Sequence, residues 1–274
     1  MHWEKERDIV QRTDIPITQK SISKDLRETG LGIGDTVIVH SSMSKIGWVV
    51  GGPVSVVNAL MDVLTTKGTL VMPTFSTDNT EPKNWESPPV PESWWLTIRE
   101  NMPAYQEEIS PTRGMGRVPE TFRNYPIVKR SPHPQCSFTA WGKDKELICT
   151  SHPLIPVFGE NSPLERLYHL KAKILLLGVD HVNNTSLHYA EWKAKLPNHP
   201  YEDQGASVMK NGKQTWEAWK DIKYSDEDFN EVGKEFDKTY DIPTFFVGQA
   251  KTKMLSMQEL VDFTIPWFQK NRKY

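Results

Sequence analysis

This chain has few cysteines, no long apolar runs and nearly equal numbers of acidic and basic residues. Its two cysteines, Cys136 and Cys149, form no CxxC motif, so the sequence predicts neither a disulfide framework nor a zinc knuckle, and we expect no metal cofactor. With 33 basic and 35 acidic residues the net charge is −2, which gives no signature of a nucleic-acid partner.

Apolar runs of the length that membranes require are also missing. No segment approaches the roughly 18 consecutive apolar residues of a membrane helix, and residues 1–10 lack the apolar core of a secretion signal. We therefore expect a cytoplasmic protein without a membrane partner. The sequence leaves open whether the chain forms a homo-oligomer.

The 274 residues, 37% of them hydrophobic, suffice for one sizeable core. We predict a single domain over 1–274 with two elaborations. The first, 79–110, is rich in proline and tryptophan and too aromatic for a disordered linker. The second, 198–241, contains Asn211-Gly212, the strongest hairpin signal in the chain.

A strand–helix–strand pattern occupies the N-terminal quarter of the sequence. Asp35–His40 is a predicted buried strand, Pro53 stands at the first position of an amphipathic helix with Gly68 as its C-cap, and Thr69–Thr74 is the next strand. Such a βαβ unit favours parallel pairing with a right-handed crossover. Together with a further aliphatic strand, Ile174–Leu177, it predicts an α/β fold whose central sheet, largely parallel or mixed, is flanked by helices and carries an added lobe.

The connection after the first strand, HSSMSKIGWVVGG, combines small hydroxyls with unhindered backbone amides. This composition suits a ligand rich in hydrogen-bond acceptors. The segment matches neither the P-loop nor the dinucleotide GxGxxG pattern, and an ordinary glycine-rich connection is the alternative. The candidate binding residues here are His40, Ser41, Ser42, Ser44, Gly47, Gly51 and Gly52.

Basic residues are concentrated in Thr112–Ser131, where glycines 114 and 116 precede a short predicted helix. Backbone donors and cations that converge in this way can bind phosphates, whereas a solvated basic face is the alternative. The basic side chains are Arg113, Arg117, Arg123, Lys129 and Arg130, against the single acid Glu120.

His188 and Glu191 lie three residues apart, directly after the strand Ile174–Leu177 and a polar loop. Thr185 or Ser186 is the predicted N-cap of their helix, so both side chains share one helix face with Cβ atoms roughly 5–6 Å apart. A carboxylate at that distance can orient an imidazole as a general base. The alternative is a surface or capping pair.

The His188–Glu191 pair, the basic glycine turn and the negative charge of the acid-rich segment Glu202–Asp241 together suit a phosphorylated donor that hands a group to a cationic acceptor. The economical version is acetyl transfer from acetyl-coenzyme A to a small cationic amine, with Ser41–Ser44 or loop amides near the thioester carbonyl. The acid-rich segment Glu202–Asp241 could attract such an amine, although a solvated helix explains its charge equally well. Residues 79–110 and 198–241 would then elaborate the acceptor side.

Seven segments spread along the chain carry a resemblance to a known family: VIVHSSMSKIGWVVGG, GTLVMPTFS, PPVPESWWLTIRENMPAY, SPTRGMGRVPETFR, RSPHPQCSFTAWG, ILLLGVDHVNNTSLHYAE and YSDEDFNEVGKEF. Through them the chain resembles the antibiotic (aminoglycoside) 3-N-acetyltransferase family essentially end to end. This resemblance implies an α/β fold that is not GCN5-like, acetyl-coenzyme A as co-substrate, an aminoglycoside as acceptor, and His188 and Glu191 as catalytic residues. It also places Val49, Thr74 and Met115 in cofactor-facing segments.

The chain departs from the family pattern after its MPA motif, at Tyr105-Gln106-Glu107-Glu108. The acceptor therefore stays open: a different small amine, or coenzyme A binding without aminoglycoside acetylation, are the alternatives. The acids considered for the acceptor pocket are Asp78, Glu202, Asp203 and Asp221.

Two other acyltransferase mechanisms were weighed. Arg113–Gly116 partly matches the phosphate turn of GCN5-related enzymes, but that pattern requires Gly or Ala where Val118 stands. A ping-pong mechanism through Cys136, which has His133 nearby in the sequence, requires a reactive thiolate.

Overall fold

The computed structural model describes residues 2–274, which form a large sheet, a separate hairpin and the helices around them. The strands are β1 (Thr36–Ser41), β2 (Thr69–Pro73), β3 (Lys129–Arg130), β4 (Phe138–Gly142), β5 (Lys173–Leu177), β6 (Tyr201–Lys210), β7 (Lys213–Ile222), β8 (Phe245–Val247) and β9 (Ala250–Ser256). The helices are α1 (His2–Gln11), α2 (Gln19–Glu28), α3 (Met43–Ile46), α4 (Pro53–Leu64), α5 (Trp95–Asn101), α6 (Arg117–Phe122), α7 (Lys145–Cys149), α8 (Pro163–His169), α9 (Ser186–Lys193), α10 (Phe229–Thr239) and α11 (Met257–Asn271).

The large sheet has seven strands in the order β3-β4-β2-β1-β5-β9-β8. Its centre is parallel, because β1 pairs in parallel with β2 on one side and with β5 on the other. β4 and β9 then add antiparallel edges. The predicted α/β fold with a mixed central sheet is therefore confirmed, and the predicted βαβ unit is β1-α4-β2.

Alternating side chains of the central strands enter two different cores. Val37 and Val39 of β1 pack with α2, α4 and α6, whereas Ile38 packs with α8, α9 and α11 on the opposite face. Because both faces of the sheet are covered, the strands are apolar at nearly every position, as parallel strands buried on two sides require. These two layers fix the strand ends that carry the functional residues.

Helix α4 begins at Pro53 as predicted, after Gly51 and Gly52, whose φ angles of 77° and 60° suit glycine. The prediction that Gly68 is its C-cap is wrong, since the helix ends at Leu64 and Thr65 takes the C-cap position. Gly68 serves close packing instead, because a Cβ atom there would lie 2.7 Å from the Asp35 carbonyl oxygen.

Residues 79–110 and 198–241 pack against one another. Asn79 exchanges two hydrogen bonds of 2.8 Å with the backbone of Ser207 on β6, and the Tyr105 amide donates to the same Ser207 carbonyl at 3.0 Å. The hairpin β6–β7 turns at the predicted Asn211-Gly212 and forms its own two-stranded sheet. Residues 79–110 and the hairpin β6–β7 thus form one lobe, which we call the hairpin lobe, whereas Phe229, Val232 and Phe236 of α10 pack in the main core.

Several elements go beyond the sequence-based expectations. Helices α1 and α3 and strands β3 and β9 were not predicted, and each strand of the hairpin is ten residues long. Among residues 2–274, no helix combines the length and apolarity needed to cross a bilayer.

Candidate functional site

A cavity of about 770 Å³ opens at the carboxyl ends of the central parallel strands. A smaller cavity of about 100 Å³ shares Ser41, Gly114, Met115, Val179 and Asn183 with it and reaches Pro73 at the end of β2. In open α/β sheets this edge is where ligands bind, because loops from neighbouring parallel strands converge there.

The β1–α4 connection forms one wall of these cavities. Ser41 ends β1, and the Ser42 amide donates to the Leu177 carbonyl at the end of β5 with a 2.9 Å bond. The wall then continues through Gly47 and Val49 to Gly51 and Gly52, so backbone lies at the surface where side chains would otherwise fill the space. The lining residues from this connection are His40, Ser41, Ser42, Met43, Ser44, Gly47, Trp48, Val49, Gly51, Gly52 and Pro53.

His40 supplies a neutral polar group at this wall. Burial lowers the pKa of His40 to about 3, so the ring is uncharged at neutral pH. Its Nε2 atom and the neighbouring Ser41 Oγ are buried without a hydrogen-bond partner within the described residues. Buried polar atoms normally have partners, so these two atoms leave hydrogen-bonding capacity unused at the end of β1.

The opposite wall comes from the glycine turn at 114–116 and from Arg117. Most of the basic side chains in this segment are already held by the protein: Arg113 by Asp78, Arg123 by Glu120, Lys129 by Glu146, and Arg130 by carbonyls that include Thr74. Arg117 lines the large cavity and has no ion pair among residues 2–274. Its Nη2 atom lies 3.9 Å from where a Cβ of Gly52 would stand.

Glu120 fixes the loop that leads into this wall. Its Oε2 accepts from the Thr112 amide at 2.9 Å and from the Thr112 hydroxyl at 2.7 Å. Partial burial opposes ionisation, but these bonds and Arg123 lower the pKa of Glu120 to about 2. The carboxylate is therefore ionised at neutral pH and anchors the loop beside the glycine turn.

Helix α1 closes the large cavity on a third side through Lys5, Glu6 and Ile9. It is anchored beside the cavity, since the Arg12 guanidinium donates to the Ser44 carbonyl and the Thr13 hydroxyl accepts from the Trp48 amide at 3.0 Å. Lys5 has no ion pair within the described chain, so it is a second available cation at the cavity.

His188 lies in the first turn of α9, as predicted, after Thr185 at the N-cap position. Its Nδ1 donates to Glu191 Oε2 at 2.9 Å. The ring stacks on Phe158 at a centroid distance of 4.8 Å and an angle of 9°, and it contacts Phe229 at 4.8 Å. These contacts hold the imidazole in one orientation, with Nε2 left for a substrate.

Glu191 is completely buried and carries several hydrogen bonds. While Oε2 accepts from His188, Oε1 accepts from the Ser225 amide at 3.0 Å and from Arg272 Nη1 at 2.5 Å. A buried carboxyl group needs such partners to offset the loss of its hydration. The His188–Glu191 pair is therefore a buried, oriented dyad rather than a surface pair.

The dyad and the cavities are joined by the loop that follows β5. Asn183 and Thr185 line the smaller cavity, and the His188 amide donates to the Thr185 carbonyl at 3.1 Å. Asn184 and Ser186 are buried between them, with Asn184 Nδ2 and Ser186 Oγ lacking partners among the described residues. His188 thus stands one helical turn from the cavity wall.

Two of the predicted cofactor-facing residues do not line either cavity. Thr74 is buried, and its hydroxyl bonds Thr139 Oγ1 at 3.0 Å; Arg113 is occupied by Asp78. The other cofactor-facing residues predicted from the sequence all line one or both cavities.

The acids considered for an acceptor pocket already have partners in the protein. Asp78 pairs with Arg113, Asp203 with Lys83 and Lys220, Glu202 accepts from Gln204, and Asp221 accepts from the Val157 and Ile222 amides.

Cys136 is poorly suited to nucleophilic catalysis. Burial raises the pKa of Cys136 to about 12, and Asp221 adds to this effect. The thiol is therefore protonated at neutral pH, whereas the thiolate is the nucleophilic form. Nor do residues 2–274 contain a group of three or more His, Cys, Asp or Glu side chains that could hold a metal ion.

Comparison with known proteins supplies the context for this site. The sequence model described as aminoglycoside 3-N-acetyltransferase matches residues 38–269. The chain is 47% identical to the SPbeta prophage-derived aminoglycoside N(3')-acetyltransferase-like protein YokD of Bacillus subtilis, over 96% of each chain. It is 32% identical to aminoglycoside N(3)-acetyltransferase VII of Streptomyces paromomycinus, over 95% of this chain and 94% of the relative.

Solved structures agree with the sequence comparison. The crystal structure of YokD has a TM-score of 0.94 at 46% identity, covering 97% of this chain and 98% of that one. The structure of AAC-IIIb in a binary complex with CoASH has a TM-score of 0.84 at 25% identity, covering 95% and 100%. The fold is that of these acetyltransferases and not a GCN5-like fold, and the chain belongs to the aminoglycoside 3-N-acetyltransferase family of acyltransferases.

Proposed function

We propose that the protein transfers the acetyl group of acetyl-coenzyme A to an amino group of a 2-deoxystreptamine aminoglycoside, with His188 as the general base. Family membership supports the reaction class. The observation that carries the assignment is the buried dyad, in which His188 Nδ1 donates to Glu191 at 2.9 Å one helical turn from the cavity wall.

The donor would bind in the 770 Å³ cavity. Lys5 and Arg117 line it and have no ion pairs within the described part of the chain, so they suit the phosphates of coenzyme A. The glycine-rich β1–α4 connection suits the amide-rich pantetheine arm, because exposed backbone can hydrogen-bond it. The AAC-IIIb complex with CoASH supports coenzyme A as the ligand class.

The reaction is a direct displacement on the thioester. As the amine nitrogen attacks the acetyl carbonyl carbon, His188 Nε2 takes a proton from it; the new C–N bond forms and the C–S bond then breaks to release the thiolate of coenzyme A. In this proposal the Ser41 hydroxyl, which has no hydrogen-bond partner among the described residues, donates to the carbonyl oxygen as negative charge develops. A positioned general base contributes about 10²–10⁴ to the rate.

The imidazolium formed in this step is stabilised by Glu191. Because Glu191 is buried, its charge acts through a medium less polar than water. The proton then returns to the leaving sulfur, which restores neutral His188 and yields free coenzyme A and the acetylated amine.

The hairpin lobe is our candidate for the acceptor side. The departure from the family pattern at residues 105–108 falls within this lobe, so the acceptor must be identified by experiment. Acetyl transfer to a panel of aminoglycosides and simple polyamines, read by release of free thiol, tests the proposal directly. Acetylation of an aminoglycoside is expected; acetylation of other amines alone would replace the acceptor class, and binding of acetyl-coenzyme A without any transfer would reject the proposal.

Arg117→Ala is expected to weaken binding of acetyl-coenzyme A by about tenfold or more, since a charge-assisted hydrogen bond contributes roughly 1.5–3 kcal/mol. Arg113→Ala is the matched control from the same segment, because Asp78 already occupies that side chain. Both arginines are candidates in the sequence, but Arg113 pairs with Asp78, whereas Arg117 lines the cavity without an ion pair to any described residue.

Isothermal titration calorimetry with acetyl-coenzyme A measures both variants. A smaller loss for Arg117→Ala than for Arg113→Ala would contradict the placement of phosphates beside Arg117.

A further inference from the structure

We propose that Arg272 is a positioning residue for the His188–Glu191 dyad, since it holds Glu191 in place and keeps a buried positive charge beside the pair. This inference rests on the proposed function and adds to it a side chain from the segment that follows α11. Arg272 does not contact the cavities; it acts through Glu191.

The contacts of Arg272 are specific. Nη1 donates to Glu191 Oε1 at 2.5 Å, Nε donates to Asp228 Oδ2 at 2.7 Å, and Nη2 donates to the Ser225 carbonyl at 2.9 Å. The guanidinium also lies 3.8 Å from the ring centroid of Phe268. With only 8% of its side chain exposed, Arg272 is a fixed part of the site.

The charges around the dyad explain why the contact between Arg272 and Glu191 matters. Two carboxylates, Glu191 and Asp228, face one guanidinium, so with neutral His188 this group carries a net charge of −1. Protonation of His188 makes the group neutral, which suits a base that must hold a proton briefly. The other titratable groups facing it are His199, whose Nε2 is 3.9 Å from Glu191 Oε1, Tyr224, whose ring centroid is 5.5 Å from that of His188, and Tyr274, which stacks on His199.

Arg272 is a permanent cation in this setting. Burial alone would lower the pKa of Arg272. The bond to Asp228 and the charges of Glu191 and Asp228 outweigh burial and raise this pKa. A buried cation beside an ionisable pair disfavours protonation of that pair. Removing the cation must therefore make the dyad bind a proton more tightly, wherever within the dyad the proton resides.

The pH dependence of kcat/KM tests this inference. The proposed base must be unprotonated to accept a proton from the amine. The acidic limb, the part of the profile where kcat/KM falls as the pH is lowered, therefore reports proton uptake by the dyad. Arg272→Gln removes the charge and can still donate to Glu191; we expect the acidic limb to move to higher pH by about one unit or more. Arg272→Lys restores the charge, so its limb should lie close to that of the wild type even if its rate is lower.

Lys273→Gln is the matched control, since it removes one positive charge from the same segment at an exposed position. Its acidic limb should coincide with that of the wild type. A uniform fall in rate for Arg272→Gln with an unmoved limb would show that Arg272 is only structural and would overturn the inference. So would an equal shift in Arg272→Lys and Arg272→Gln.

The proposed function fails in a different way. If His188→Ala retained full acetyl transfer, the general-base assignment would fall whatever Arg272 does. If His188→Ala were inactive while the limb of Arg272→Gln stayed in place, only the role of Arg272 would be rejected.

Discussion

Replacing His188 by alanine should lower kcat for acetyl transfer by at least about 10²-fold, the size expected for a lost general base. Binding of acetyl-coenzyme A should stay within a few-fold of wild type, because His188 does not line the large cavity. A fall in kcat with unchanged donor affinity is the signature of an interaction made mainly in the transition state.

Steady-state kinetics and calorimetry together measure these two quantities. The His188→Ala protein loses stacking on Phe158 and Phe229, so a thermal melt must accompany the kinetics. His169→Ala, at an exposed position on α8, is the matched control and should keep wild-type turnover. Turnover by His188→Ala at the wild-type rate would refute the assignment.

Glu191→Gln should lower kcat nearly as much as His188→Ala, because it changes the hydrogen bond that His188 Nδ1 makes. Two donors, the Ser225 amide and Arg272 Nη1, face the position of Oε1. The glutamine must therefore turn its carbonyl oxygen toward them and its amino group toward His188. Nδ1 then has to accept, and the ring proton moves to Nε2.

A histidine protonated at Nε2 cannot take a proton from the amine through that atom. The corresponding acid-to-amide change in a Ser-His-Asp triad lowers kcat by about 10⁴ for the same tautomeric reason, and we expect a loss of about 10²–10⁴ here. Both kcat and kcat/KM should fall, and no pH between 5 and 9 should restore activity.

Asp237→Asn provides the matched control, because Asp237 also contacts a histidine, with Oδ1 3.1 Å from His181 Nε2. We expect its turnover to remain within a few-fold of wild type. Full activity of Glu191→Gln would show that neither the charge nor the tautomer set by Glu191 matters to the reaction.

The central fold could be predicted because its signals are local. The aliphatic runs of β1, β2 and β5 are short and bounded by turn residues, and Pro53 after two glycines indicates where α4 begins. Parallel pairing of these three strands brings their carboxyl ends to one edge, so residues such as Ser41 and Thr185 meet although they are far apart in sequence. The dyad was equally local, three residues apart on one helix.

What escaped prediction depends on contacts between distant segments. Nothing local distinguishes Arg117 from Arg113; only the fold shows that Asp78 occupies one and leaves the other free. Arg272 and Glu191 are in contact although they lie 81 positions apart in the sequence. A single arginine after a helix forms no sequence pattern that predicts such a contact. Helix α1 was missed because its contribution lies in covering a cavity that other segments create.

The hairpin lobe joins the rest of the protein in a way that bears on how such enzymes diversify. Strands β6 and β7 share no ladder with the seven-stranded sheet, and side-chain amides such as that of Gln135, 2.8 Å from the Gly205 carbonyl, fasten them to it. We therefore expect exchange or remodelling of these strands to leave the proposed donor site in place. We expect related proteins to share the same acetyl donor site but to accept different amines, with most sequence differences in the hairpin lobe.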